Sequence, residues 1–131
     1  QAGAAQAIFD VTIEYLKTRY QFGRAVGSFQ AVKHMVADLL VELESSKSAV
    51  IAATTALDRQ LPDKKRAVHL AAFTCADVFR EISAQAIQLH GGIAYTREHC
   101  AHLYWRRART WMPMFGSSDQ HRECYLATWE H

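Results

Sequence analysis

Apolar residues recur every three or four positions along most of this 131-residue chain. This spacing places them on one side of an α-helix, and it predicts long amphipathic helices. Two prolines and six glycines interrupt the pattern, so they mark the ends of the predicted helices. We predict five helices and no strand.

The first predicted helix covers residues 2–20, and Gly23 lies just beyond its end. Gly23 and Gly27 then bracket a loop, after which Ser28 is the predicted cap of the second helix. The apolar seam of this second helix has spacings of three and four, with full heptads in its second half. Its members are Phe29, Val32, Val36, Leu39, Leu43, Val50 and Leu57.

The third predicted helix follows Pro62 and Asp63 and ends at Gly91 and Gly92. It has a second apolar seam, which should pack against that of the second helix. The members of this seam are Val68, Cys75, Val78, Ile82, Ala86 and Leu89. We expect Cys75 to be a small core residue.

Two shorter helices complete the pattern. Thr96 is the predicted cap of a fourth, basic helix that Pro113 closes, and Ser117 and Gln120 have the spacing of a capping box that opens the fifth. The predicted fold is therefore all-α, an up-and-down four-helix bundle with an additional short helix. We expect residues 1–131 to form one domain, and to be a fragment of a longer chain because Gln1 stands inside a helical pattern.

Composition excludes several classes of protein. Fifteen Lys and Arg against thirteen Asp and Glu give a net charge of +2, too small a surplus to drive binding to nucleic acid or an anionic membrane. Three widely spaced cysteines do not suggest a disulfide framework, and no apolar run approaches the roughly 20 residues that span a bilayer. We expect a soluble cytoplasmic protein.

Two segments carry candidate chemistry. RYQFGRAVGSFQ, residues 19–30, joins the first two helices and combines arginines, an aromatic side chain and two glycines. Such a segment suits a phosphate or a planar ligand, although an ordinary cationic helix hairpin has the same composition. QLHGGIAYTREH, residues 88–99, offers a glutamine and bare glycine backbone, although a helix C-cap also explains its glycine pair.

In this order, the two segments resemble the C-terminal helical domain of the acyl-CoA dehydrogenase family, and the resemblance extends from Tyr15 to Glu123. It implies a domain that contacts FAD held mainly by a neighbouring subunit of an oligomer, with acyl-CoA as the substrate of the complete complex. The residues that match the FAD-contacting positions are Arg19, Phe22, Gln30, Gln88, Gly91, Gly92, Ser117 and Asp119.

The resemblance fails at Phe115. In many members of the family, a glutamate at this position removes the α-proton of the acyl-CoA thioester, and phenylalanine cannot accept a proton. Asp119 and Glu123 are poorly placed substitutes, and the other position that relatives use lies upstream of Gln1. We therefore predict no catalytic residue in this chain. This is similar to the glutamate-lacking subunit of heterotetrameric bacterial acyl-CoA dehydrogenases of the steroid-CoA type, which works with a catalytic partner.

Other functions are compatible with parts of the sequence. The fourth predicted helix carries Trp105, Trp111 and several arginines, a combination that also suits nucleic-acid binding, although a subunit interface is the preferred interpretation. A non-enzymatic helical adaptor is a further alternative. His99 with His102, and His121 with Cys124, have spacings found in zinc sites, but no partner acid can be assigned and no metal site is predicted.

Overall fold

A computed structural model describes residues 1–129, so the last two residues of the predicted domain, 130 and 131, lie outside it. The described chain is all-α apart from one small hairpin. The helices are α1 (Ala2–Thr18), α2 (Gln30–Asp58), α3 (Lys64–His90), α4 (Ala101–Phe115) and α5 (Ser118–Ala127). Short 3₁₀ turns cover Val26–Ser28 and Gly91–Tyr95.

Helix α3 is the centre of the bundle, because it packs against all four other helices. Its residues Val78, Phe79 and Ile82 are buried with Ile8 of α1 and Leu43 of α2. The predicted α3 seam is confirmed in this middle portion. Cys75 is also buried there, as expected, and burial raises the pKa of its thiol.

The seam predicted for α2 is correct only in its first half. Leu39 and Leu43 are buried, whereas Leu57 is 43% exposed, and the buried positions farther along are Ser46, Ala53 and Ala56. Leu57 follows the buried Leu39 by 18 residues, or about five full turns, so both lie on the same side of α2, and it is the buried face that shifts along the helix. Small residues take over, and the buried Ser46 hydroxyl donates to the Leu43 carbonyl at 2.7 Å.

The prediction that the chain contains no strand is wrong. Residues 20–25 form a hairpin in which β1 (Tyr20–Gln21) pairs antiparallel with β2 (Arg24–Ala25). A two-residue turn with positive φ at both central positions suits such a hairpin, and Phe22 and Gly23 have φ of 52° and 79°. Four paired residues are too few to leave an alternating pattern in the sequence.

Two predicted caps were also wrong. Ser28 ends a 3₁₀ turn and its hydroxyl donates to the Ala25 carbonyl, while α2 begins at Gln30. The Thr96 hydroxyl likewise donates to the Ile93 carbonyl, and α4 begins only at Ala101. Both hydroxyls bond backward to the preceding turn, a local alternative to helix capping that these residue types share.

The ends of α4 and α5 are set by glycine and serine. Pro113 lies inside α4, which ends two residues beyond the predicted boundary, at Phe115. Gly116 follows with φ of 94°, a conformation that favours glycine. The predicted capping box of α5 is confirmed, because the Gln120 N–H donates to Ser117 Oγ and the Ser117 N–H donates to Gln120 Oε1.

Replacing Ser117 with alanine should lower the free energy of unfolding by about 1 kcal/mol, because the Gln120 N–H at the start of α5 loses its acceptor. Chemical denaturation of both proteins would measure this. Ser45→Ala is a suitable control, because Ser45 is exposed in the middle of α2, and it should change stability by less. Equal effects of the two substitutions would contradict the capping role.

None of the helices within residues 1–129 is both long enough and apolar enough to cross a membrane.

Candidate functional site

Two of the predicted binding segments meet at one end of the bundle, where α1 and α3 both terminate. Arg19 caps the C-terminus of α1, and its N–H donates to the Tyr15 carbonyl at 2.8 Å. Helix α3 ends at His90, and Gly91 follows with φ of 65°. The cationic and the glycine-rich segments are thus neighbours in space although they are about 70 residues apart in sequence.

A cavity of about 450 Å³ lies between these two helix ends. We call it the Arg19 cavity. Its lining residues are Tyr15, Arg19, Gln21, Val26, Gln88, Leu89, His90, Gly91, Gly92 and Ile93. Four of the eight predicted FAD-contacting residues therefore line one cavity: Arg19, Gln88, Gly91 and Gly92.

The charge pattern of the Arg19 cavity favours a particular ligand chemistry. Arg19 is the only charged residue among the described residues that line it, so it can attract one anionic group such as a phosphate. The last carbonyls of α1 and α3 also lie here, and helix C-termini favour hydrogen-bond donors. A ligand with hydroxyl or amino donors beside a phosphate satisfies both requirements.

The two sides of the Arg19 cavity are joined by Tyr15 and His90, which sequence reasoning missed. The Tyr15 hydroxyl donates to the His90 carbonyl at 3.2 Å, and the two rings stack with centroids 4.4 Å apart. Tyr15 lies one helical turn before Arg19, and His90 directly precedes Gly91. The i,i+4 relation of Tyr15 to Arg19 was the only signal in the sequence.

His90 is buried on every side, with 3% of its surface exposed. Its Nδ1 lies 2.7 Å from the Ala86 carbonyl, an arrangement that places a proton on Nδ1. The centroid of its ring lies 4.3 Å from the centroid of the His99 ring. Burial lowers the pKa of His90, since a charged imidazole would lose its hydration there; the bond to Ala86 opposes this effect and His99 adds to it.

The remaining predicted residues of the first segment, Phe22 and Gln30, are not among the residues that line the Arg19 cavity. Phe22 projects from the hairpin tip with 92% of its surface exposed, and its positive φ is uncommon for an aromatic residue. Gln30 is exposed at the first position of α2. Arg24 stacks over the Phe29 ring, with its guanidinium carbon 3.8 Å from the ring centroid.

The position expected for a catalytic base lies in a second cavity, of about 380 Å³. We call it the Phe115 cavity, and its lining residues are Gln1, Ala72, Ala76, Trp111, Phe115, Gly116 and His121. None of these described residues carries a carboxylate. The Phe115 side chain is 64% exposed, so an apolar ring stands at the surface where a proton acceptor would be needed.

A pair of histidines holds the backbone of Phe115 in place. His121 Nε2 lies 2.8 Å from the Phe115 carbonyl, and His121 Nδ1 lies 3.0 Å from Nδ1 of His69. Burial lowers the pKa of His69, and the nearby His121 lowers it further. His121, whose spacing from Cys124 is also found in zinc sites, thus connects α5 to α3 and to the end of α4.

Ser117 and Asp119 lie near the Phe115 cavity, far from Arg19. Ser118, between them, donates to Asp77 of α3 at 2.8 Å, and Asp77 precedes His90 by 13 residues. At 1.5 Å per residue, the two groups of predicted contacts are separated by roughly 20 Å along α3. Asp119 pairs with Arg122 at 3.2 Å on the surface. The eight predicted residues therefore form two groups, not one site.

Comparison with known proteins decides the family. Residues 1–128 match the family described as "Acyl-CoA dehydrogenase, C-terminal domain". The chain belongs to the acyl-CoA dehydrogenase family. Members of this family use FAD.

Curated acyl-CoA dehydrogenase relatives are about three times as long as this chain. The acyl-CoA dehydrogenase IpdE2 of Mycobacterium tuberculosis is 44% identical over 108 residues, which are 82% of this chain and 32% of IpdE2. The caffeyl-CoA reductase-Etf complex subunit CarC of Acetobacterium woodii is 35% identical over 117 residues, 89% of this chain and 31% of CarC. The matched part of the chain thus spans about a third of the length of these two relatives.

Solved structures confirm the all-α fold of the acyl-CoA dehydrogenase C-terminal domain. Butyryl-CoA dehydrogenase from Megasphaera elsdenii superposes with a TM-score of 0.93 at 23% identity, covering 99% of this chain and 34% of that one. The steroid acyl-CoA dehydrogenase Tcur3481–Tcur3483 superposes with a TM-score of 0.89 at 28% identity, covering 96% of this chain and 35% of that one.

The Arg19 cavity of this acyl-CoA dehydrogenase domain has room for part of FAD. A Cβ atom built on Gly91 or Gly92 would meet no atom within 4 Å, so both glycines leave open space next to the Gln88 amide and the Arg19 guanidinium. These groups can bond to ribose hydroxyls, adenine nitrogens and a phosphate.

The aromatic side chains of the basic helix α4 pack against other residues of the acyl-CoA dehydrogenase domain. Trp111 packs against the buried Phe79 with ring centroids 5.8 Å apart, and Tyr104 also packs against the core. Trp105 lies under the guanidinium of Arg109. Aromatic rings engaged in this way are poorly available for stacking on nucleic-acid bases.

Within residues 1–129, no three His, Cys, Asp or Glu side chains are grouped to hold a metal ion.

The domain should be less stable in mild acid than near neutral pH. The pKa values of His69, His90 and His99 are all lowered from the ordinary value of 6.5, chiefly by burial. Unfolded histidines bind protons more readily than these folded ones, so their contribution is present above about pH 6.5 and is lost as pH falls through the folded pKa values.

Urea denaturation at about pH 7.5 and about pH 5.5 would measure this loss. In the His90→Phe variant one of the buried groups no longer titrates, so the difference between the two pH values should shrink. A free energy of unfolding that is equal at both pH values in the unmodified protein would contradict the assignment.

Proposed function

We propose that this chain contributes to FAD binding in an acyl-CoA dehydrogenase complex and leaves abstraction of the substrate α-proton to a catalytic partner subunit. One contrast carries this proposal. The Arg19 cavity contains a cation, an amide and open glycine backbone, whereas the Phe115 cavity has no carboxylate among its described lining residues. Groups suited to the cofactor are therefore present, and the expected base is not.

In the proposed complex, each group of this chain has a limited task. The Arg19 guanidinium neutralises a phosphate, and the Gln88 amide bonds to the nucleoside end of the cofactor. Gly91 and Gly92 allow the ligand to approach the backbone closely. Bound FAD supplies the hydride acceptor for α,β-dehydrogenation of an acyl-CoA thioester.

The N-terminus of α5 makes a separate contribution. The capping box engages the N–H groups of Ser117 and Gln120, whereas those of Ser118 and Asp119, in the first turn, have no intrahelical acceptor and can bond to an anionic or polar group. Since Ser117 and Asp119 lie roughly 20 Å from the Arg19 cavity along α3, they serve a different part of the assembled site. Proton abstraction cannot occur at Phe115, because a phenyl ring has no basic atom.

An apolar ring at position 115 suits a large apolar substrate. Phe115 and Trp111 line the same cavity, and the Phe115 side chain is mostly exposed. One structural neighbour is named as a steroid acyl-CoA dehydrogenase. This similarity, together with the apolar lining, supports a steroid-CoA or other polycyclic acyl-CoA as the substrate of the complete complex.

The proposed role requires other subunits. The Arg19 cavity is open to solvent at one end of the bundle, and it is flanked by Tyr20 and Phe22, which are 68% and 92% exposed. Exposed aromatic side chains of this kind are enriched at protein interfaces. A partner that covers them would also close the cavity over its ligand.

Purification of the full-length chain, alone and with the product of its genomic neighbour, tests this proposal. We expect bound flavin and turnover only in the complex, and loss of turnover when the partner's glutamate is replaced by glutamine. Phe115→Ala should retain the flavin, since no cofactor contact is assigned to that ring. Full turnover by the chain alone would contradict the proposal. A complex without flavin absorbance would instead indicate a helical adaptor.

A further inference from the structure

We infer that Tyr15 and His90 are positioning residues that set the separation between Arg19 and the Gln88–Gly92 segment. This inference rests on the proposed FAD site. It concerns two residues that line the Arg19 cavity and were not among the predicted cofactor contacts. They act through their neighbours, and no direct contact with the cofactor is required of either.

Each residue of the pair is attached to one side of the cavity. The Arg19 N–H donates to the Tyr15 carbonyl at 2.8 Å, so the backbone at Arg19 follows any movement of Tyr15. His90 directly precedes Gly91, whose N–H donates to the carbonyls of Gln88 and Ile87. The hydroxyl of Tyr15 donates to the His90 carbonyl at 3.2 Å. This bond joins residues 75 positions apart and links the ends of α1 and α3.

The glycines make such a link necessary. Gly91 and Gly92 have no side chains to pack, and glycine backbone has more conformational freedom than that of any other residue. The two glycines are therefore positioned by the residues on either side of them, His90 before and the buried Ala94 after. His90 is well suited to this task, because it is buried and its ring is held between Tyr15 and His99, with Nδ1 bonded to the Ala86 carbonyl.

The stacked rings and the hydroxyl bond can be separated by substitution. Tyr15→Phe retains the ring that stacks on His90 and removes only the donor to the His90 carbonyl. Loss of one hydrogen bond corresponds to about a three- to tenfold change in an equilibrium constant. FAD binding would then have to bring the two sides of the cavity back to the required separation, so we expect the Kd of FAD for the assembled complex to rise by up to that factor.

The test uses the assembled flavoprotein complex, stripped of cofactor and titrated with FAD. Tyr15→Phe should raise both the Kd of FAD and the FAD concentration needed for half-maximal turnover, while kcat at saturating FAD returns to the unmodified value. The melting temperature of the cofactor-free complex should change little. A lower melting temperature with unchanged FAD affinity would show a purely structural role and overturn the inference.

Two further variants make the result specific. Tyr125→Phe removes a hydroxyl from a half-buried tyrosine of α5, whose ring packs against Phe73 away from the cavity, and it should leave FAD affinity unchanged. Arg19→Ala tests the cofactor site itself. If Arg19→Ala weakens FAD binding and Tyr15→Phe does not, the positioning role is wrong and the proposed function stands. If neither substitution affects FAD binding, both are wrong.

Discussion

Replacing Phe79 with alanine is expected to lower the free energy of unfolding by about 3–5 kcal/mol. Phe79 has no exposed surface and lies in the middle of α3, the helix that contacts all the others. Its ring packs against Trp111 of α4. Truncation removes the burial of a large apolar side chain and leaves a cavity that rigid neighbouring helices cannot fill. Chemical denaturation monitored by circular dichroism measures the loss.

Phe22→Ala is the matched control, because the same side chain is removed where 92% of it is exposed. We expect a change of less than about 0.5 kcal/mol in the free energy of unfolding. If the two substitutions destabilise the protein equally, Phe79 is not at the centre of the core. Phe22→Ala has a second use. It should weaken cofactor binding if the hairpin tip faces the ligand, and it should weaken assembly if the tip faces a partner subunit.

Replacing Arg19 with alanine in the assembled complex should weaken FAD binding by about 10- to 100-fold. This range corresponds to the loss of a hydrogen bond to a charged group, about 1.5–3 kcal/mol. Arg19 is the only charged residue among the described residues that line its cavity, so no neighbouring cation replaces it. Isothermal titration of cofactor-free complex with FAD measures the change, and increasing salt should reduce the difference between the two proteins.

Arg59→Ala controls for the loss of a positive charge. Arg59 is exposed at the C-terminus of α2 and does not line the Arg19 cavity. Its removal should leave FAD affinity within about twofold of the unmodified complex, since surface charges contribute little at a distance under physiological salt. Equal effects of Arg19→Ala and Arg59→Ala would show that net charge, and not a specific contact, governs binding.

The separation of the two cavities supports the proposed division of labour between subunits. The residues proposed to contact FAD and the position expected for the base lie at different places along α3, so a change at one need not affect the other. Phe115 lines a different cavity, which has no lining residue in common with the Arg19 cavity. In the proposed complex, a chain without the base can therefore keep its cofactor contacts.

Both ends of α3 and the start of α5 could be predicted from the sequence, because their signals are local. Gly91 and the capping box of Ser117 and Gln120 act within one turn of the helices that they end or begin, and Pro62 marks the turn before α3. Motifs in the correct order also identified the family, and they named four residues that line a single cavity. That position 115 has no carboxylate can be seen from the sequence, since the phenylalanine side chain has no basic atom.

Tertiary packing determines which residues are buried and which side chains from distant parts of the chain are in contact. Farther along α2 the buried positions are Ser46, Ala53 and Ala56 and not Leu57, because the face of α2 that the neighbouring elements cover changes along the helix. Tyr15 meets His90 across 75 residues, and His69 meets His121 across 52. Neither pair has a sequence signature, because the helices that bring its members together are positioned by burial of the common core around Phe79.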